Sequence, residues 1–154
     1  MAEEAVARDD NCIFCKLSTG ERRDQQLLRS DSDVFVIEDI KPHASHHLLV
    51  IPHAHLPSAK HLKPEHSEIV RKMEGVGREV LEQRLGGAAA AEELLMGFHW
   101  PPLVTVKHLH LHIIYPASSL SFFSRHLIFK PGLLFVQIPW LLEKLSRETA
   151  AAMN

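Results

Sequence analysis

Residues 107–114 read KHLHLHII, three histidines at strict two-residue spacing with aliphatic residues between them. Side chains of a β-strand alternate between its two faces. The octet therefore predicts a strand with unlike faces. Leu109, Leu111 and Ile113 belong to a core, while His108, His110 and His112 line a groove or pocket on the other side. A chain built around such a strand needs a sheet packed on one face and open to a ligand on the other.

A strand rises roughly 3.3 Å per residue, which sets the outer two α-carbons about 13 Å apart. Zinc–nitrogen bonds are about 2.0–2.1 Å long, so three such rings converge awkwardly on one ion. A row of imidazoles suits an extended anion better, one ring reacting and a neighbour donating a hydrogen bond. Neutral imidazole is a nucleophile, and an ordinary pKa of about 6.5 leaves it mostly unprotonated at neutral pH. The bland alternative is a strand whose histidines are half-exposed polar residues. Three in register, beside His43, His46 and His47, favour function.

Histidine is the oddity of the composition, 12 residues in a chain of 154. That length fits one domain with a core of its own. A formal net charge of −2 opposes a duplex nucleic acid partner, which calls for a basic footprint. A partner with a few phosphates needs only a local site. The opening MAEEAVARDD is acidic and has no apolar centre, so no secretory signal is expected. No apolar run approaches the ~20 residues of a membrane span. The longest, residues 133–142, contains Gln137 and Pro139. The expectation is a soluble cytoplasmic protein, with the nucleus also open to it, no membrane partner, and reduced thiols at Cys12 and Cys15.

Along the chain, residues 1–10 read as a disordered tail, 11–147 as a single domain and 148–154 as a second tail. Strands are expected near 27–29, at 33–40 and 47–51, near 93–99, at 104–115 and near 133–138. Apolar residues from Ile69 to Leu81 recur at three- and four-residue steps, which predicts a long helix over 64–85. Pro64 suits its first turn and Gly86-Gly87 its end. Short helices are expected at 13–17, at 118–127 and from 139 to about 147. Several strands, one long helix and short links suggest an α+β fold with a mostly antiparallel sheet.

The pattern His-φ-His-φ-His-φ-φ, with φ apolar, is the signature of the histidine triad superfamily, and HLHLHII at 108–114 resembles it at every position. FVIEDIKP at 35–42, HHLLVIPHAH at 46–55 and CIFC at 12–15 are similar to that family's ribose strand, its His-φ-φ-V-φ-P-x-x-H segment and its opening. MGFHWPP at 96–102 and LSFFSRHLIF with LLEKL across 120–145 resemble the third type of its nucleotide-binding branch. The resemblance runs from Cys12 to about Lys144. It implies a five-stranded antiparallel sheet with one long helix and a C-terminal helical extension. It also implies a homodimer or higher homo-oligomer, with two protomers paired into one continuous sheet.

The activity implied is hydrolysis of adenosine 5′-phosphoramidates and aminoacyl adenylates through a covalent AMP–histidine, releasing AMP. Partners are then purine nucleoside monophosphates and their phosphoramidate or acyl derivatives. By the family pattern His110 is the nucleophile, its tautomer fixed by a backbone carbonyl on the neighbouring chain. His112 donates to phosphoryl oxygens, and His47 packs behind the triad to position it. Thr105 stands where the family often has a serine, and its hydroxyl serves phosphate or the leaving amine. Asp39 accepts from the ribose hydroxyls, since a carboxylate suits a vicinal diol. Ile40 packs on the base. Asp39 as a turn former, Thr105 as a plain strand residue and His47 as a buried polar packer are the structural alternatives.

No cofactor is required for this chemistry. The resemblance also implies a structural zinc on Cys12, Cys15, His55 and His108, against the alternative of two buried reduced thiols. No βαβ pattern surrounds CIFC, which opposes a thioredoxin-like role. One departure stands out. Where relatives of the first type carry a glycine-rich loop before the triad, this chain has GFHWPPLVTVK, and AAAA at 88–91 replaces a more polar segment. The phosphate contacts of that loop do not carry over. Competing readings are a purine-nucleotide-binding or scaffold module with weak catalysis, a dinucleoside polyphosphate hydrolase or nucleotidyl transferase and, last, a metallohydrolase.

Overall fold

The computed structural model describes residues 7–154. Six strands form one antiparallel sheet: β1 (Arg29–Ser30), β2 (Val34–Glu38), β3 (His46–Pro52), β4 (Leu95–His99), β5 (Leu111–Tyr115) and β6 (Phe135–Gln137). Their order is β1-β2-β3-β5-β4-β6. The sheet thus has six strands rather than five. Both edge strands are short: β1 pairs with β2 over two residues, and β6 adds three residues to the outer side of β4. Pairing of two protomers into one continuous sheet would have to start from one of these short edges, which offer few free backbone groups.

Three helices complete the fold: α1 (Ile13–Thr19), α2 (Ser67–Leu85) and α3 (Ile138–Ala152). The apolar stripe of α2 is buried through Val70, Met73, Val76, Val80 and Leu81. It packs on β3 and β5. Gly77 permits the close approach, because a Cβ there would stand 2.7 Å from Ile113 Cδ1. The helix ends at Gly86, whose φ of 71° lies in the left-handed region that glycine enters without strain. Leu141 and Leu145 of α3 join the same core. Among the described residues no helix is long and apolar enough to cross a membrane.

Strand alternation divides the core as expected. Leu109, Leu111 and Ile113 pack with α2 and α3, together with Leu48 and Val50 of β3. The opposite face carries α1, through Phe14 and Leu17, against Phe35, Ile37, Leu49 and Ile51. Farther along that face, Phe129 and Phe135 pack against Ile114.

Three boundaries differ from expectation. The strand expected at 104–115 begins only at Leu111, and residues 103–110 are irregular. A longer ladder with β3 would run into Pro52, which has no amide to give. The backbone of Leu109 turns away and bonds the Leu56 carbonyl instead, at 2.6 Å. The last helix continues to Ala152, so most of the tail expected at 148–154 is helical. At the other end, residues 1–6 of the expected tail lie outside the described residues, and the Ala7 carbonyl accepts from the His55 amide at 2.8 Å. The helix expected at 118–127 resolves into a short turn, Ala117–Ser119, and a single π-helical turn, Ser124–Ile128.

Candidate active site

His110 sits at the mouth of β5, one residue before its first ladder pair. Its Nδ1 lies 2.7 Å from the carbonyl oxygen of His108. A carbonyl only accepts, so the ring proton resides on Nδ1 and Nε2 keeps its lone pair. The expected fixing carbonyl is present, but it belongs to the same segment, two residues upstream, rather than to a neighbouring one. Burial lowers the His110 pKa from its ordinary 6.5, and the bond to the His108 carbonyl opposes this. The ring is therefore neutral at neutral pH.

A second chain of bonds settles His112. The His43 amide donates to His47 Nδ1 at 3.1 Å. That nitrogen is an acceptor, so the His47 proton is on Nε2, which lies 2.9 Å from His112 Nδ1. His112 Nδ1 must then accept, and its own proton is carried on Nε2. This Nε2 is buried and has no partner. A buried polar group without a partner is rare in a native fold, and His112 is among the residues that line the cavity. Burial is the first cause that pushes His47 down to about 4 and His112 well below 6.5, with neighbouring imidazoles adding to both. Asp39 opposes the shift at His47, its Oδ2 standing 3.4 Å from Nε2.

His47, His110 and His112 line one cavity of about 460 Å³, and Asp39, Ile40 and Thr105 line it too. The structure thus gathers all six residues named from sequence. Asp39 follows β2, and its Oδ1 accepts from the Lys41 amide at 2.8 Å, an Asx turn that aims the other oxygen inward. Ile40 stands 77% exposed at the rim. Thr105 is exposed on the irregular segment before the triad. His46, on the same strand as His47, alternates away from the cavity.

Sequence reading missed three contributors. His99 lines the cavity, its ring centroid 4.5 Å from that of His112, and its buried Nδ1 has no partner. The register Gly97↔His112 places His99 on the triad's face, two residues along β4. No signal in the sequence fixes that register. Phe129 and His43 also line the cavity. His43 was noticed only as one histidine among neighbours.

His108 turns the other way. Its Nε2 donates to the Pro52 carbonyl at 2.8 Å, which leaves Nδ1 as a free lone pair. That Nδ1 lies 3.4 Å from Cys12 Sγ, 3.5 Å from Cys15 Sγ and 3.1 Å from His55 Nδ1. All four ligand atoms fall within 4.8 Å of one another. Zinc with bonds of about 2.0–2.3 Å needs ligand atoms spaced at roughly 3.3–3.8 Å. The donor set fits zinc in softness, number and spacing. Phe14 of α1 joins the two sites, with edge contacts to His108 at 5.7 Å and His110 at 5.2 Å.

The buried neutral histidines have a consequence for stability. His47 and His99 hold values of about 4 when folded, against about 6.5 when unfolded. Between these values the unfolded chain binds more protons. Stability is therefore full above about pH 6.5 and falls as pH drops toward 4. Melting curves from about pH 7.5 to 4.5 are expected to show a level Tm followed by a progressive decline. A Tm unchanged across that window would mean these rings are not buried and neutral.

A row of imidazoles leading into β5 of an antiparallel sheet, flanked by an aspartate after β2, defines a class, and sequence comparison agrees. The family described as the scavenger mRNA decapping enzyme C-terminal binding region matches residues 11–128. This chain belongs to the histidine triad family. Within it, the chain is 34% identical to adenosine 5′-monophosphoramidase HINT3 of Xenopus tropicalis over 143 residues, covering 93% of this chain and 92% of that protein. It is 36% identical to the Mus musculus protein of the same name, covering 90% and 84%. Among solved structures, an HIT family hydrolase from Clostridium thermocellum superposes with a TM-score of 0.62 at 26% identity, over 70% of this chain and 92% of that one.

Proposed function

We propose that this protein hydrolyses the P–N bond of adenosine 5′-phosphoramidates, and of related acyl adenylates, releasing AMP. One observation carries the reading: His110 is locked with Nδ1 as donor, so its lone pair on Nε2 faces a cavity that also holds the unpartnered Nε2–H of His112. The relatives named adenosine 5′-monophosphoramidase, matched over most of their length, support the substrate class.

In this scheme the nucleotide enters with its ribose at Asp39 and its base near Ile40. The His110 Nε2 lone pair attacks the α-phosphorus as the P–N bond breaks. The leaving nitrogen takes a proton, with the Thr105 hydroxyl or solvent as its source. His112 Nε2–H donates to a non-bridging oxygen, where charge builds in the transition state. The result is AMP joined to His110 through a P–N bond. Water then attacks phosphorus, the imidazole leaves as the neutral Nδ1–H tautomer, and AMP departs. Splitting one displacement into two is the advantage of a covalent nucleophile.

Zinc takes no part in these steps. Bound by Cys12, Cys15, His55 and His108, it would act as a closed four-ligand cross-link between α1 and the triad segment, with no position open to substrate.

A substrate panel tests the assignment. Adenosine 5′-phosphoramidate is expected to yield AMP and ammonia at a kcat/KM at least about 10-fold above that for diadenosine polyphosphates. The reverse order would make the protein a dinucleotide hydrolase. Tight AMP binding with no turnover of any substrate would make it a binding module.

A further inference from the structure

The family match ends at residue 128, and the chain continues past it into the site. Phe129 is 2% exposed and lies against four imidazoles that line the cavity. Its centroid distances are 5.1 Å to His43, 5.5 Å to His47, 5.1 Å to His99 and 5.5 Å to His112. Phe135 of β6 backs it at 5.6 Å and touches His99 at 5.2 Å. The segment carrying these rings is tied down at both ends. Its outgoing end is the β6–β4 ladder, extended by Trp100 N–H to Leu134 O at 2.8 Å. Its incoming end is Ser124, which is buried, with Oγ 2.9 Å from His43 Nδ1.

That last bond completes a run. Ser121 Oγ donates to Ser124 Oγ at 3.0 Å. Ser124 is then free to donate to His43 Nδ1, and the His43 amide donates to His47 Nδ1. His47 Nε2–H passes to His112 Nδ1. The His43 amide sets the tautomers of this pair, and Ser124, in the segment that follows the triad, holds the His43 side chain beside it. Imidazole–imidazole bonds of this kind hold one tautomer only where water does not compete for the ring nitrogens.

We propose that residues 120–137 form a built-in wall of the active site, and that Phe129 is a positioning residue that keeps the His47–His112 pair dry and in one tautomer. The wall comes from the part of the chain that follows the triad. The inference rests on His110 and His112 as the working pair, so its test includes a readout that needs no turnover.

Phe129→Ala and Phe129→Leu are compared with the full-length wild-type protein by long-range ¹H–¹⁵N spectra of the histidine rings and by steady-state kinetics on an adenosine phosphoramidate. The wild type is expected to show His112 as a single Nε2–H tautomer. The variants are expected to show averaged tautomers at His47 and His112. Their kcat should fall in order of lost volume, by about 10–100-fold for Ala and less for Leu, with KM moving by less than about 3-fold. Loss of Tm alone, with wild-type ring spectra and kcat in any folded variant, would overturn the proposal and leave Phe129 as core packing. If Phe129→Ala does not fold, the Leu variant decides by the same two readouts. A wild type with the expected ring spectra and no turnover would retire the hydrolase reading and leave the wall standing.

Discussion

His110→Ala is expected to lower AMP release from an adenosine phosphoramidate by at least about 10³-fold while leaving the fold in place. The loss should be this large because neither His112 nor His47 can take over the role. His112 carries a proton, not a lone pair, on its unpartnered nitrogen, since His47 occupies the other. His47 and His99 are neighbours, but His47 has both ring nitrogens engaged, one by the His43 amide and one by His112. The fold should survive because the hydrogen bond lost is one His110 makes to its own segment. Its ring is only half-buried, and the core behind the triad rests on Leu109, Leu111 and Ile113. Far-UV spectra and a Tm within a few degrees of wild type check that half of the expectation. The acid limb of the wild-type rate should lie below pH 6.5, because burial lowers the His110 value.

Gly97→Val is expected to be the most damaging change outside the triad. A Cβ at Gly97 would stand 2.6 Å from Phe135 Cε1 and 2.6 Å from the Val136 carbonyl oxygen. The second contact is backbone, so a side-chain rotation cannot relieve it. Strand β6 must move off β4, and Phe135 moves with it from its place against His99. Overpacking of this kind costs about 3 kcal/mol, which for a chain of this size lowers Tm by roughly 5–10 °C. Activity should fall with it, since the wall behind His99 and His112 is displaced. Gly75→Ala is the matched control. It lies in α2 with no heavy atom within 4 Å of the added carbon, and helix propensity favours it by about 0.5–1 kcal/mol. Equal Tm for both variants would show that β6 does not sit closely on β4.

The contrast between these glycines marks where sequence reasoning reaches. The two faces of the triad strand follow from alternation alone, and the stripe of α2 from its three- and four-residue steps. Both are local periodicities; the stripe and the apolar face are seen in the structure, while of the expected imidazole face His108 leaves the cavity for Cys12, Cys15 and His55. The partners of His47, His110 and Asp39 are nearly local as well: a carbonyl two residues away, an amide four residues away, a turn two residues ahead. Such geometry travels with a motif, so these residues meet in one cavity as the resemblance implies. His99 and Phe129 depend instead on register and on order. His99 faces the triad only because Gly97, and not Met96 or Phe98, stands opposite His112. Phe129 reaches the site only because β6 returns to the outer side of β4. Neither choice leaves a period in the sequence. The late start of β5 has a similar origin, since Pro52 limits a partner strand 59 positions away in the chain.

The histidine-rich composition also becomes intelligible in three dimensions. Five imidazoles, at 43, 47, 99, 110 and 112, line one cavity. A sixth, His108, belongs to the cysteine pair. One short segment, 108–112, serves both sites because successive histidines point to different partners, and Phe14 touches a ring of each site.

The central claim is that Nε2 of His110 bonds to phosphorus. Rapid mixing of the protein with an adenosine phosphoramidate, acid-free denaturing quench and peptide mapping measures this directly. An AMP adduct on the peptide carrying His110 is expected, localised to that residue, forming and decaying fast enough to account for AMP release. Turnover with no adduct at any time, or with AMP on a different residue, would contradict it.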